Sequence, residues 1–120
     1  MNPKQECKKL INSFKYAIEG FVSSFKTERN MKIHVLATSV VVALGFYFKL
    51  NLIEWCFIST AIALVIGAEL FNTALETIVD MISPEKNPKA KLAKDISAAA
   101  VFTLAIAAIV VGLLIFIPKI

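Results

Sequence analysis

The run Ile96–Ile117, ISAAAVFTLAIAAIVVGLLIFI, contains no charged residue and is almost wholly apolar. At about 1.5 Å per residue, a helix of this length can cross the ~30 Å hydrocarbon core of a bilayer. The rest of the chain agrees, because 58% of its 120 residues are hydrophobic, too many for the surface of a small soluble domain. The sequence therefore predicts an integral membrane protein whose single domain covers residues 1–120.

Two more apolar segments precede this run. The pattern predicts transmembrane helices at about residues 31–50, 53–82 and 92–117. A short turn near Asn51 separates the first two, and a polar loop with two prolines separates the last two. We therefore expect an all-α integral membrane fold with three spans.

The N-terminal segment, about residues 5–27, has a different pattern. Apolar side chains recur every three or four residues, at Leu10, Phe14, Ile18, Phe21 and Phe25. Lysines occupy much of the remaining surface, which is typical of an amphipathic helix that lies in the membrane interface. A helix packed against the protein's own core is the alternative.

The basic residues predict an orientation. Eleven of the thirteen lysines and arginines lie before the first span or in its first turn, or flank the second loop. By the positive-inside rule, the N-terminus and the loop near residues 83–94 are expected to be cytoplasmic, with the C-terminus outside.

The second predicted span ends in an unusual stripe, Glu69–Asp80, ELFNTALETIVD. At ~100° per residue, five polar side chains fall within an arc of about 100°. They are Glu69, Asn72, Thr73, Glu76 and Asp80. Carboxylates stacked on one face repel one another, and one deep in lipid costs roughly 2.5–3.5 kcal/mol. The stripe therefore predicts a site that faces protein, water or a cation.

The chemistry of this stripe admits more than one interpretation. Carboxylates that could hold magnesium, a lysine at position 94 and a carboxylate base near the lipid interior are the parts of a phosphoryl-transfer site. The chain has no glycine-rich phosphate loop of the common kinds. From the residues alone, an ion path or a polar network between subunits is equally open.

The pattern Glu69-x-x-Asn72-Thr-Ala-Leu-Glu76-x-x-x-Asp80, followed by Ala-Lys94-Asp95, resembles the small integral-membrane lipid kinases of bacteria. This family comprises diacylglycerol kinase and undecaprenol kinase, and the resemblance covers nearly the whole chain. It implies a homotrimer in the plasma (inner) membrane, with active sites shared between subunits. It also implies ATP as phosphoryl donor, Mg²⁺ as cofactor, a membrane lipid alcohol as acceptor, and no nucleic-acid partner.

The resemblance also implies roles for individual residues. Glu69 would be the catalytic base, Asn72 would orient the base or the substrate, and Asp80 would support them. Glu28 and Glu76 would hold Mg²⁺ on the ATP phosphates. The implied nucleotide contacts are Lys9, Tyr16, Glu85, Lys86, Asn87, Lys94 and Asp95.

Alternatives remain open for some of these residues. Tyr16 could instead be an interfacial anchor, and Asn72 could bond across helices. The loop lysines, among them Lys86, could simply be solvated or attracted to anionic headgroups. His34 is expected to be a structural or headgroup contact.

The stretch Lys26–His34, KTERNMKIH, resembles the undecaprenol kinase branch. Lys9 stands where the diacylglycerol enzyme uses an arginine, which keeps the charge but loses bidentate geometry. We therefore expect undecaprenol as substrate and undecaprenyl phosphate as product. Diacylglycerol, giving phosphatidic acid, is the alternative, and a small trimeric cation channel or transporter subunit is a more remote one.

Overall fold

The computed structural model describes residues 1–120 and is helical throughout. It contains α1 (Pro3–Thr27), α2 (Arg29–Tyr47), α3 (Leu52–Ile82) and α4 (Pro88–Phe116), followed by a 3₁₀ turn at Ile117–Lys119. By length and composition, α2, α3 and the last helix with its 3₁₀ turn could each cross a membrane. An all-helical fold with an N-terminal helix and three candidate spans, as the sequence predicts, is therefore confirmed.

Helix α1 starts with a capping box. The Asn2 side chain accepts a hydrogen bond from the Gln5 backbone N–H, and the Gln5 side chain accepts one in return from the Asn2 backbone N–H.

A single residue separates α1 from α2. Glu28 is extended, with φ −106° and ψ 118°, and serves as the C-cap of α1 and the N-cap of α2. The polypeptide therefore changes direction at Glu28, and α2 starts two residues before the expected 31.

The turn from α2 to α3 is tight. Lys49 has φ 54°, in the left-handed region, and the Leu50 N–H donates to the Gly45 carbonyl at 3.1 Å. Asn51 then caps α3 in a capping box with Glu54. The backbone therefore leaves α2 at Tyr47, three residues before the expected end at 50.

Helix α4 begins at Pro88, four residues before the expected 92. The Asn87 side chain accepts hydrogen bonds from the backbone N–H groups of Lys89 and Ala90, at 2.8 and 3.4 Å. Proline is well suited to the first helical position because its missing N–H would be unpaired there. The polar segment before Leu92, which the sequence analysis assigned to a loop, is thus the first turn of α4.

Few side chains are buried within one chain, which measures 49 × 49 × 21 Å. The buried apolar residues are Met31, Leu50, Ile58, Val65 and Val101, whereas most large apolar side chains are exposed. Surfaces this apolar are covered by lipid or by another protein chain. The buried polar residues are Ser24, Glu69 and Asn72, and this small group marks the candidate site.

Candidate active site

A cavity of about 360 Å³ lies between α2, α3 and α4 and is called the chamber below. It combines polar side chains from α2 and α3 with an apolar wall from α4. Its lining consists of Asn30, Ile33, His34, Glu69, Asn72, Ala98, Val101, Phe102 and Ala105. The chamber therefore contains two residues of the acidic stripe, Glu69 and Asn72.

Glu69 is the most unusual side chain of the chamber. Only 1% of its surface is exposed, and neither carboxylate oxygen has a hydrogen-bond partner. The nearest basic side chain is that of His34, whose Nε2 lies 3.7 Å from Glu69 Oε2, beyond hydrogen-bond length. The charges of Glu76 and Glu28 act on Glu69 repulsively. A buried, unpaired carboxylate is costly, which indicates that Glu69 receives a partner from outside the chain.

Asn72 joins the chamber to Glu76. Its Nδ2 donates a hydrogen bond to Glu76 Oε1 at 3.0 Å, one helical turn further along α3. Its Oδ1 is buried and has no partner. Asn72 can therefore hold the Glu76 carboxylate in one orientation while offering an acceptor oxygen to a bound group.

Helix α1 reaches this face of α3 through Ser24. Ser24 is buried, and its Oγ lies 3.4 Å from Thr73 Oγ1, which itself donates to the Glu69 carbonyl at 3.0 Å. Glu28 follows Ser24 by one turn, so this contact positions the Glu28 end of α1 beside α3. Ser24 was not among the residues predicted from the sequence to belong to the site. The available signal was its spacing, since Phe21, Ser24 and Glu28 share one helical face.

A second, more open cavity of about 770 Å³ lies where α3 ends and α4 begins, and is called the loop cavity. Its lining is polar and carries both signs of charge: Asp80, Ser83, Pro84, Glu85, Lys86, Asn87, Pro88, Ala90, Lys91 and Lys94. Lys94 forms an ion pair with Asp80 across this cavity. Four of the residues expected to contact nucleotide, Glu85, Lys86, Asn87 and Lys94, therefore line one space.

Other expected site residues lie outside both cavities. Asp95 is exposed and pairs with Lys91 at 2.6 Å along the surface of α4. Lys9 and Tyr16 are exposed on α1 and line neither cavity. The structure of one chain thus does not bring Lys9 or Tyr16 together with the stripe.

The carboxylates near the chamber are candidate ligands for magnesium. No group of three or more His, Cys, Asp or Glu side chains lies close enough within one chain to hold a metal. Mg²⁺, however, keeps several waters and is commonly bound by one or two carboxylates together with substrate phosphates. Glu28 and Glu76 are partly exposed carboxylates near the unpaired oxygens of Glu69 and Asn72, and this oxygen-rich set fits that mode of binding.

Comparison with known proteins agrees with this arrangement. A family model described as prokaryotic diacylglycerol kinase matches residues 15–116. The fold and the match define a helical membrane lipid kinase. The chain belongs to the prokaryotic diacylglycerol kinase family. Lys9 lies before the matched residues.

Three curated relatives illustrate the similarity. The chain is 40% identical to undecaprenol kinase of Bacillus subtilis over 116 residues, which is 97% of this chain and 94% of the relative. It is 36% identical to diacylglycerol kinase of Synechocystis over 98% of this chain and 67% of that protein. It is also 36% identical to diacylglycerol kinase of Haemophilus influenzae, over 89% of this chain and 92% of the relative.

Proposed function

We propose that the chain transfers the γ-phosphoryl group of ATP to the hydroxyl of undecaprenol, producing undecaprenyl phosphate and ADP. The observation that carries the proposal is the buried Glu69 carboxylate, which has no partner and faces a chamber between apolar helices. Such a group suits the removal of a proton from an alcohol that arrives from the membrane. The choice of the prenol is supported by the 40% identity to undecaprenol kinase and by the Lys26–His34 stretch.

In the proposed reaction, Glu69 accepts the proton of the lipid hydroxyl. The lipid oxygen then forms a bond to the γ-phosphorus, and the bond from that phosphorus to the β–γ bridging oxygen breaks, so that ADP leaves. Asn72 keeps Glu76 oriented through its 3.0 Å hydrogen bond and offers Oδ1 to the incoming groups. Glu28 and Glu76 would hold Mg²⁺, which supplies neutralising charge on the phosphates.

We assign nucleotide binding to the loop cavity and the adjoining surface of α4. Lys94 is positioned over this cavity by Asp80, and Glu85, Lys86 and Asn87 complete its wall. A lysine is a suitable point charge for phosphate oxygens. Asp95 lies beside this surface, and Lys9 and Tyr16 remain proposed contacts that a second chain would have to bring to the nucleotide.

The proposal includes a homotrimer in the bacterial plasma membrane. The large exposed apolar surface of one chain supports close association with other chains as well as with lipid. The excess of basic residues before α2 and around the α3–α4 loop supports a cytoplasmic N-terminus and active site, with the C-terminus outside. On this topology ATP reaches the loop cavity from the cytosol while the lipid reaches Glu69 from the inner leaflet.

Diacylglycerol is the second candidate substrate, because two of the relatives described above are diacylglycerol kinases. The comparisons favour either lipid kinase over a cation channel or transporter subunit. The test is phosphoryl transfer by the detergent-solubilised protein from labelled ATP with Mg²⁺, offering undecaprenol and diacylglycerol in parallel. The proposal predicts faster labelling of the prenol. Preferred labelling of diacylglycerol would replace undecaprenol as the substrate, and labelling of neither would contradict the proposed function.

A further inference from the structure

The proposed reaction leaves one proton in the chamber at every turnover. The lipid hydroxyl gives its proton to Glu69, while the phosphate ester and ADP both leave as anions. Only 1% of the Glu69 surface is exposed, so water has almost no direct access to this carboxyl group. A carboxyl group that stays protonated cannot act as a base again. Glu69 therefore needs a second group that takes the proton away after phosphoryl transfer.

The imidazole of His34 is positioned for this step. Its Nε2 lies 3.7 Å from Glu69 Oε2, and an approach of about 0.5 Å would bring the two atoms to the ~3.2 Å of a hydrogen bond. His34 and Glu69 are the only titratable side chains that line the chamber, because the wall from α4 is apolar throughout. The other charges that act on Glu69 are those of Glu28 and Glu76, the two carboxylates assigned to magnesium. His34 is therefore the basic group available to Glu69.

The polar end of the chamber offers the proton a way out. The side chain of His34 is 19% exposed, against 1% for Glu69. Asn30, one turn earlier on α2, is exposed and lines the same chamber. Helix α2 begins at Arg29, so Asn30 and His34 lie at the end of α2 that the proposed topology places toward the cytosol. Exposure thus increases from Glu69 through His34 to Asn30.

We propose that His34 accepts the proton from Glu69 after phosphoryl transfer and releases it to cytosolic water past Asn30, which returns Glu69 to its carboxylate form. The inference rests on the proposed function and adds to it a proton-transfer residue that acts through Glu69. The O–H bond of Glu69 breaks as an N–H bond forms at His34 Nε2, and the resulting imidazolium gives one proton to water. His34 thus has a role beyond the structural or headgroup contact expected from the sequence.

The first test compares two replacements of His34 in the full-length protein. His34→Gln keeps a hydrogen-bonding side chain that cannot carry a proton, whereas His34→Ala removes the side chain. We expect kcat to fall at least about tenfold in both variants, with the KM values for lipid and ATP within about twofold of wild type. A His34→Gln kcat within about threefold of wild type, or a loss confined to the lipid KM, would overturn the proposal, because a hydrogen bond or a binding contact would then suffice.

The second test supplies the missing base from solution. Imidazole added to His34→Ala should raise kcat at least about fivefold, and the gain should follow the concentration of neutral imidazole as the pH is varied. The matched control is Thr38→Ala, one turn further along α2, because Thr38 is partly buried like His34 but does not line the chamber. Imidazole should leave the kcat of Thr38→Ala unchanged. No gain in His34→Ala, or an equal gain in both variants, would overturn the proposal.

These outcomes separate the inference from the function on which it rests. If the wild-type protein labels no lipid alcohol, the proposed function fails before any variant is made. If the wild-type protein labels the lipid and imidazole does not restore His34→Ala, only the role of His34 fails.

Discussion

Asn72 donates a hydrogen bond to Glu76 at 3.0 Å, so one amide links the buried chamber of Glu69 to the carboxylate assigned to magnesium. The two residues are one turn apart on α3, where Asn72 is buried and Glu76 is partly exposed. Removal of the donor would leave Glu76 free to rotate. The pairing therefore ties the orientation of the proposed metal ligand to a residue that also borders the site of proton removal.

The first prediction concerns this hydrogen bond. Asn72→Asp replaces the donor by a third carboxylate, which repels Glu76 and Glu69 instead of orienting them. We expect kcat to fall at least about 100-fold, a loss typical of removing one preorganised polar group from an active site. Steady-state kinetics with lipid and ATP measure it, and size-exclusion chromatography checks the assembly. An Asn72→Asp enzyme within tenfold of wild type would contradict the role of Asn72.

The second prediction concerns the docking of α1 on α3. Ser24→Leu places a bulky side chain where Ser24 Oγ lies 3.4 Å from Thr73 Oγ1, and should displace Glu28 from α3. We expect Mg²⁺ to bind more weakly, so that the Mg²⁺ concentration that gives half-maximal activity rises about tenfold. Ser23→Leu is the matched control, because Ser23 is exposed on the same helix. Equal half-maximal Mg²⁺ concentrations in the two variants would show that the contact with α3 does not position Glu28.

The third prediction concerns the ion pair between Asp80 and Lys94, whose two members are expected to differ in their effect on ATP binding. Asp80 and Lys94 are both partly exposed, and ion pairs between exposed side chains contribute little to stability. Asp80→Asn should therefore change the thermal midpoint little and raise the KM for ATP by only a few fold. Lys94→Ala removes the proposed phosphate contact itself and should cost at least about 100-fold in kcat/KM for ATP. Equal kinetic losses in the two variants would contradict the assignment of Lys94 to the nucleotide.

The fourth prediction concerns the turn between α2 and α3. A Cβ added at Gly45 would lie 2.5 Å from the Trp55 ring, so the ring or the helix must move. We expect Gly45→Ala to reduce the free energy of unfolding by about 1–3 kcal/mol. Gly20→Ala is the control, since nothing lies within 4 Å of a Cβ there, and it should be neutral or slightly stabilising in helix α1. Thermal unfolding in detergent measures both variants, and equal midpoints would contradict the tight turn.

The sequence predicted the helices well because their signals are local. Uncharged apolar runs and a period of 3.6 residues depend only on neighbours along the chain, and they also place Asn72 and Glu76 on one face. The start of α4 was predicted too late because the polar residues after Asn87 were interpreted as a loop, although an asparagine cap followed by proline favours a helix start.

The contacts that complete the site are not local, and the sequence could not show them. The approach of Ser24 to Thr73 joins residues 49 positions apart. The place of His34 beside Glu69 likewise depends on how α2 and α3 pack. Lys9 and Tyr16 stay predictions, since neither lines the chamber or the loop cavity of the single chain.

The most direct test of the account is the loss of one buried carboxylate. Glu69→Gln keeps the shape of the side chain but cannot accept the proton of the lipid hydroxyl. Glu54→Gln is the control at the opposite end of α3, where Glu54 pairs with Lys119 at 3.1 Å. We predict that Glu69→Gln loses at least about 1,000-fold in kcat while it still forms the same oligomer, and that Glu54→Gln stays within a few fold of wild type. A Glu69→Gln protein that still phosphorylates lipid at more than about a tenth of the wild-type rate would contradict the role of Glu69 as the catalytic base.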